Sequence, residues 1–529
     1  MKLLCKYLTG LSLSVAIVLP CAAGDNSTGY EIILLAGQSN MAGRGLMPSP
    51  LDADGAPSEN IKMWHPSQGI LTAKDPIIHS EPLRPGVSMG MTFAKAYLER
   101  LKDTGFPNRK ILLVGAAWGG TGFAPDASGK QRWLATQDAT VGGDLYRTAV
   151  QRANSAIGAA LAAEPTSKFA GILWHQGESD LIADNVSSYA VKHTALMKAL
   201  RTNIRDADNA AVVVGEMTPC MWAQCESSVG SVSAEDRATM LNYLHNIQNV
   251  LPNSAWVSSA GLGGNGAGDK VHFNTPSQRE LGRRYFSKFW EASHNLPSPA
   301  IDLKIHNGEV FNVGNLIDFD PTYSTSTTSV RVNGNVAVQG SVTLPRDGGR
   351  GYVAGIGKST GKLVLGTSAS LFNGSYTKMA WVKLNSNSYR AHLLSGEGPT
   401  QSHFLFASGG QFLAAGHSSP TNPVNVYVQQ ATVVPLNTWL HVAVGYAAPV
   451  KTMTLYVNGV AVDSTTGVQP ATQATGTSTL TMSGFGSRTD FGLDGYMNSN
   501  KVWGKALSAT DIKKLYDFEK VSQKGYGIQ

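Results

Sequence analysis

Ser39 lies in the segment IILLAGQSNMAGRG at 32–45, where four apolar residues run into Ala36-Gly37 and the polar triplet Gln38-Ser39-Asn40 follows. An apolar run of this kind reads as a strand buried in a parallel sheet. A hydroxyl just past it stands at the carboxyl end of the strand, where open α/β sheets place their ligands. Ser39 is therefore a candidate nucleophile. Serine attack on a carbonyl needs a base, a carboxylate to orient that base, and N–H donors for the developing oxyanion. His272 and Asp269 share one short loop, DKVH at 269–272, and supply the candidate base and acid. Gly119 and Gly120 follow the apolar run at 111–115, and glycines there let a backbone N–H approach a substrate oxygen closely. Gln176 follows the run at 171–174 and offers its side-chain amide as a further donor. Glu178, two residues on, is the alternative acid; its other reading is an internal hydrogen bond that holds its own loop.

Positioning these groups requires a regular scaffold, and the first three hundred residues predict one. Apolar runs at 32–35, 111–115, 171–174, 211–215 and, more weakly, 255–257 are separated by amphipathic stretches. Those at 89–101 and 145–163 are followed by a stripe of Tyr189, Leu196, Met197, Leu200 and Ile204. Another opens at Ser233 and carries Leu241, Leu244 and Ile247. Strands alternating with helices mean βαβ units and a parallel sheet covered on both faces. The expected fold is a three-layer α/β/α sandwich of the flavodoxin-like kind. Its last helix has Thr275 as cap, Pro276 at the first helical position and Gln278 completing a capping box, with Leu281, Tyr285 and Phe289 as its buried stripe. The loop of His272 is thereby set beside a fixed helix end. The glycines of GLGGNG at 261–266 fit a dinucleotide-binding pattern, but no helix follows them directly, so that reading is set aside.

The motifs GQSNM at 37–41, WGGT at 118–121, HQGE at 175–178 and Asp269-x-x-His272 resemble the four sequence blocks of the SGNH hydrolase superfamily. Within it they are similar to the sialate O-acetylesterase and acetylxylan esterase branch, carbohydrate esterase family 6, over about residues 28 to 292. The resemblance implies hydrolysis of acetyl esters on sugar hydroxyls with neither metal nor organic cofactor. It implies Ser39 as nucleophile, His272 as base, and an oxyanion hole of the Ser39 and Gly119 or Gly120 amides with the Gln176 side chain. Relatives often carry asparagine where Gln176 stands. The expected substrate is an O-acetylated glycan or sialic acid. The alternatives are a lipase or arylesterase of the same superfamily, and an adhesion protein that binds glycans without catalysis.

Beyond the PSP motif at 297–299 the composition turns to Gly, Ser, Thr and Val with alternating strands, and TMTLYVNGVAV at 452–462 reads as a hairpin about Asn458-Gly459. One helix is expected, at 508–518. The segments MAWV at 379–382, NTWLHV at 437–442 and LYVNG at 455–459 resemble a laminin G-like, concanavalin A-like jelly-roll, which implies possible polysaccharide binding. The expected division is a signal peptide at 1–23, an esterase domain at 24–296, a β-rich connection at 297–344 and an all-β sandwich at 345–529.

The leader reading rests on Lys2, Lys6, an apolar stretch at 11–19 and small residues at 21–23. It predicts a secreted or periplasmic protein; lipid anchoring at Cys21 is the less favoured alternative. Cys5 and Cys21 would leave with the leader, and Cys220 and Cys225 would close a small disulfide loop, since no second ligand pair completes a metal site. With a net charge of +6 over 529 residues and no basic block, nucleic acid is not an expected partner. No later segment is apolar enough to span a membrane.

Overall fold

The computed structural model describes residues 27–82, 86–183, 185–225 and 232–294. Beyond them it describes 299, 301–306, 309–312, 331–333, 337–339, 342–343, 346–347, 351–352, 354–356, 361–364, 374–386, 390–397, 403–407, 412–419, 426–471, 479–484 and 492–520. The leader expected at 1–23, with Cys5 and Cys21, lies outside the described residues, as do most of the residues about 295–300.

The first half is a seven-stranded sheet with helices on both faces. In chain order its strands are β1 (Gly29–Gly37), β2 (Ile61–His65), β3 (Gly69–Thr72), β4 (Arg109–Gly115), β5 (Lys168–His175), β6 (Ala211–Gly215) and β7 (Ser254–Val257). They lie side by side as β3-β2-β4-β1-β5-β6-β7, parallel except for the edge strand β3. The apolar runs correspond to β1, β4, β5, β6 and β7. The pair β2 and β3 had no such signal, because both strands sit at the sheet margin and are only partly apolar.

Strand β1 is central, and its period of two divides the core. Ile32, Leu34 and Ala36 join one apolar cluster, Ile33 and Leu35 the other. Every residue of β1 is buried, which is why its sequence reads as a continuous apolar run rather than an alternation. The helices are α1 (Ser39–Ala42), α2 (Gly90–Asp103), α3 (Asp144–Ala163), α4 (Glu178–Ile182), α5 (Val186–Asn203), α6 (Pro219–Ala223), α7 (Ala234–His245), α8 (Ile247–Val250) and α9 (Thr275–Ser293). Helix α9 packs on β6 and β7 and against α2, where Phe93, Tyr97, Phe286 and Phe289 meet edge to face and stacked.

The start of α9 differs from expectation. Asn274, not Thr275, is the cap, its side chain accepting from Ser277 N, with Thr275 and Pro276 inside the first turn. Thr275 Oγ1 donates to Leu46 O, and Gln278 Nε2 donates to Asn40 O instead of closing a capping box. Both residues thus tie the helix to the segment that carries Ser39.

The second half is an all-β sandwich. One sheet is built around the strand Tyr376–Leu384, flanked by Leu440–Ala447 and Gly495–Trp503. The hairpin Thr452–Val457 and Val460–Thr465 extends it, with Asn458 and Gly459 both at positive φ as a type I′ turn requires. The strands Ile301–His306 and Glu309–Asn312 belong to this same sheet, the former paired with Gly495–Trp503. The facing sheet includes His403–Ala407, Leu413–His417 and Thr479–Met482. The helix Ala509–Lys520 is capped by Ser508, whose hydroxyl accepts from Asp511 N. Among the described residues no helix is long and apolar enough to cross a membrane.

Candidate active site

Ser39 opens α1 immediately beyond the carboxyl end of β1. The turn that delivers it needs Gly37, whose φ is +133° and where a Cβ would press into the His175 backbone. His272 comes from the loop between β7 and α9, 233 residues away in sequence. The two side chains meet: His272 Nε2 is 3.0 Å from Ser39 Oγ, and His272 Nδ1 is 2.7 Å from Asp269 Oδ1. A carboxylate can only accept, so Nδ1 carries the proton toward Asp269 and Nε2 is left to accept from the Ser39 hydroxyl. Serine, imidazole and carboxylate form one hydrogen-bonded chain.

Glu178 takes another part. It is fully buried, its Oε1 accepts from Asn40 Nδ2 at 2.6 Å, and burial raises its pKa above the usual carboxylate value. Asn40 in turn grips the loop of His272: Nδ2 also donates to Val271 O, and Oδ1 accepts from Phe273 N. Glu178 therefore braces the residue that holds the histidine's loop, while Asp269 contacts the ring itself.

The oxyanion-hole expectations divide. Ser39, Gly119 and Gly120 line a pocket of about 490 Å³ with Gln38, Arg44, Glu81, Trp118, Ser179 and His272. The Ser39 and Gly120 N–H groups donate to no acceptor among the described residues. The Gly119 N–H is engaged: it donates to Glu81 Oε2 at 2.9 Å, and Glu81 is held by both its oxygens to Arg44 Nη2. A Cβ at Gly119 would press on the Arg44 guanidinium, so a side chain there would have to shift Arg44. Gln176 does not reach the pocket. It is 1% exposed, and its Nε2 donates to Asp180 Oδ2, Gln38 Oε1 and Thr121 O. The physical reason is Asp180, a buried carboxylate that gathers every nearby donor, including the Phe123 and Ala124 amides and Asn185 Nδ2.

Several positioning residues were not singled out in the sequence. Asn265, inside the glycine-rich motif set aside above, donates from its backbone to Asp269 O and His272 O. Its Nδ2 donates to Asp269 Oδ2 and to Arg44 O. Thr218 Oγ1 donates to Lys270 O, one residue before the helix that holds Cys220. Cys220 and Cys225 are joined as a disulfide. His175 is buried and donates from Nδ1 to the Tyr285 hydroxyl, which itself donates to Trp174 O; burial depresses its pKa to about 3, so it is a neutral packing histidine. Among the described residues no cluster of His, Cys, Asp and Glu could hold a metal ion.

The comparisons with known proteins agree with this architecture. Residues 29–291 match the family described as carbohydrate esterase, sialic acid-specific acetylesterase, and residues 357–513 match the concanavalin A-like lectin/glucanases superfamily. A probable 9-O-acetyl-N-acetylneuraminic acid deacetylase of Escherichia coli (strain K12) is 29% identical over a 209-residue alignment that covers 33% of this chain and 61% of that protein. Among solved structures, NanS is 20% identical with a TM-score of 0.39, and a protein from Arabidopsis thaliana is 23% identical with a TM-score of 0.38. Each alignment covers 50% of this chain and 98% of the other. Residues 29–291 are a domain of the sialic acid-specific acetylesterase family of carbohydrate esterases, and the chain continues at 357–513 into a concanavalin A-like domain.

Proposed function

We propose that the chain is a serine esterase that removes O-acetyl groups from sugar hydroxyls, with O-acetylated sialic acid as the first substrate to test. The observation that carries this reading is the hydrogen-bonded chain Ser39–His272–Asp269 opening into a pocket. Ser39 Oγ attacks the acetyl carbonyl as His272 Nε2 takes its proton, and Asp269 stabilises the imidazolium that forms. The Ser39 and Gly120 N–H groups receive the oxyanion. His272 then returns the proton to the departing sugar oxygen, leaving acetyl-Ser39, and water repeats the sequence to release acetate.

The family and the E. coli relative support the sialate substrate over acetylated xylan. The leader at 1–23 and the disulfide support export to a secreted or periplasmic location, where disulfides persist. The second domain fits a glycan-tethering module that raises local substrate concentration. The test is acetate release from 9-O-acetylated sialic acid and from acetylated xylan by the full chain and by Ser39→Ala. Release that survives Ser39→Ala would sink the mechanism, and release from xylan alone would reassign the substrate.

A further inference from the structure

We infer that the outer face of one sheet of the second domain, where Trp439, Lys383 and Tyr496 lie side by side, is a docking surface for a carboxylate-bearing glycan such as a sialylated chain. The inference rests on the glycan-tethering reading above and deepens it by naming the face and the charge of the ligand.

The strand Tyr376–Leu384 sets the arrangement. Its alternate residues Ala380, Val382 and Leu384 join the sandwich core, so Trp381 and Lys383 point away from it. Lys383 is the one residue of this strand that is not buried. It stands opposite Tyr496 on one neighbouring strand, and on the other side Val382 stands opposite Leu440, the residue after Trp439. Lys383 Nζ lies 4.8 Å from the centre of the Tyr496 ring and 5.2 Å from that of Trp439. Both rings are half-buried.

The same pairing of ring and ammonium recurs two residues back along the strand. Trp381 is stacked on Tyr516 of the helix Ala509–Lys520, with ring centres 5.8 Å apart. Over Tyr516 lie Lys513 Nζ at 5.7 Å and Lys520 Nζ at 5.6 Å, and both lysines are exposed. The floor beneath them is fixed: Trp381 Nε1 and Lys501 Nζ both donate to the buried Glu519. The other carboxylates on this face are engaged. Asp517 accepts from Lys513, and Asp494 accepts from Asn385 Nδ2 at 3.2 Å. Lys383 and Lys520 are held over rings, and a ring attracts a cation without cancelling its charge. Apolar ring surface alternating with ammonium groups matches a sugar chain that carries carboxylates. Its C–H faces lie on the rings, and each carboxylate meets a lysine in a charge-assisted hydrogen bond. Half-buried rings leave little to insert into a bilayer, which favours a glycan over a lipid surface.

The test measures binding of sialyllactose, and of lactose as its neutral counterpart, to the full chain by calorimetry. The wild type should prefer sialyllactose, and added salt should weaken that preference. Lys383→Gln should lose about tenfold in affinity for sialyllactose, Trp439→Ala at least as much, and Lys383→Arg should retain binding. Thermal midpoints near wild type and an unchanged kcat on an aryl acetate show that the variants fold and that the esterase site is untouched. Unchanged affinity in Lys383→Gln and Trp439→Ala overturns the site. Equal affinity for the two sugars overturns the acidic ligand while leaving the tethering reading in place. Binding to phosphatidylserine vesicles without binding to sialyllactose overturns it in favour of a lipid surface. An inactive wild type on both an aryl acetate and an O-acetylated sugar sinks the esterase reading alone, since sialyllactose carries no ester.

Discussion

The two ends of the first-half sheet form a natural comparison. At the end where the strands begin, a cavity of about 930 Å³ is lined by Glu31, Tyr97, Arg109, Lys168, Trp290 and others. At the end where they finish, the pocket beside Ser39 is little more than half that size. The larger space holds the quieter chemistry. Glu31 accepts from Tyr97 Oη, from Arg109 Nε and Nη2, and lies 3.4 Å from Lys168 Nζ. Its charge is neutralised on every side, as a buried carboxylate requires. Around Ser39 the chain of hydrogen bonds instead runs outward and ends on a hydroxyl. Cavity size measures packing; what marks a site is a reactive group whose partners prepare it without consuming it.

The sharpest way to break this contrast is to remove one group at each end. Ser39→Ala should lower kcat by about 10⁶-fold, leaving the fold and the thermal midpoint nearly unchanged. Asp269→Asn should cost roughly 10²–10⁴-fold in kcat; the loss should fall below that of a fully buried acid because this side chain is 44% exposed. Glu31→Gln should do the reverse. It leaves the nearly buried Arg109 without a counter-charge and should cost about 3 kcal/mol by denaturant unfolding, with kcat within twofold of wild type. If Glu31→Gln silenced the enzyme while remaining folded, the division of labour between the ends would be wrong.

Acidification tests the scaffold as a whole. His79, His175 and His193 are all buried, and burial depresses each to about 3 from the ordinary 6.5. The unfolded chain therefore binds more protons than the folded one between those values. Their contribution to stability is complete above about pH 6.5 and is lost as the pH falls toward 3. Calorimetric midpoints should drop across that window, and His193→Gln should make the drop shallower by one proton's worth of slope. The smallest effect is expected from Asn265→Ala, about tenfold in kcat at unchanged KM. Asn265→Asp places a second carboxylate beside Asp269 and should move the acid limb of the kcat/KM profile to higher pH, since added negative charge raises the imidazolium pKa. A pH profile identical to wild type in Asn265→Asp would reduce Asn265 to a loop brace.

How much of this was legible beforehand follows from what each residue depends on. Ser39, Gly119, Gln176 and Glu178 each stand just past an apolar run, so their common end of the sheet follows from periodicity and from the rule that parallel strands are joined by crossovers. The strands β2 and β3 gave no comparable pattern, because marginal strands need not be apolar on both faces. The cap of α9 was displaced by one residue, since Asn274 and Thr275 are both able caps and the choice lay with what Thr275 finds elsewhere, the carbonyl of Leu46. Asn265 was hidden inside a glycine pattern that suggested a different chemistry, and nothing in its neighbours pointed to Asp269.

Residue type and order alone determined the layered α/β domain, its all-β successor and the end of the sheet at which reactive side chains gather, because burial period and strand–helix alternation are written locally. Tertiary structure alone decided where the Gln176 amide is engaged, which carboxylate meets His272 and which glycine N–H remains unengaged. Those outcomes turn on who donates to whom in space, from Gly119 to Glu81 across 38 residues to Asn40 and Glu178 across 138. A buried acceptor such as Asp180 takes the donors nearest to it in space, whatever their distance along the chain.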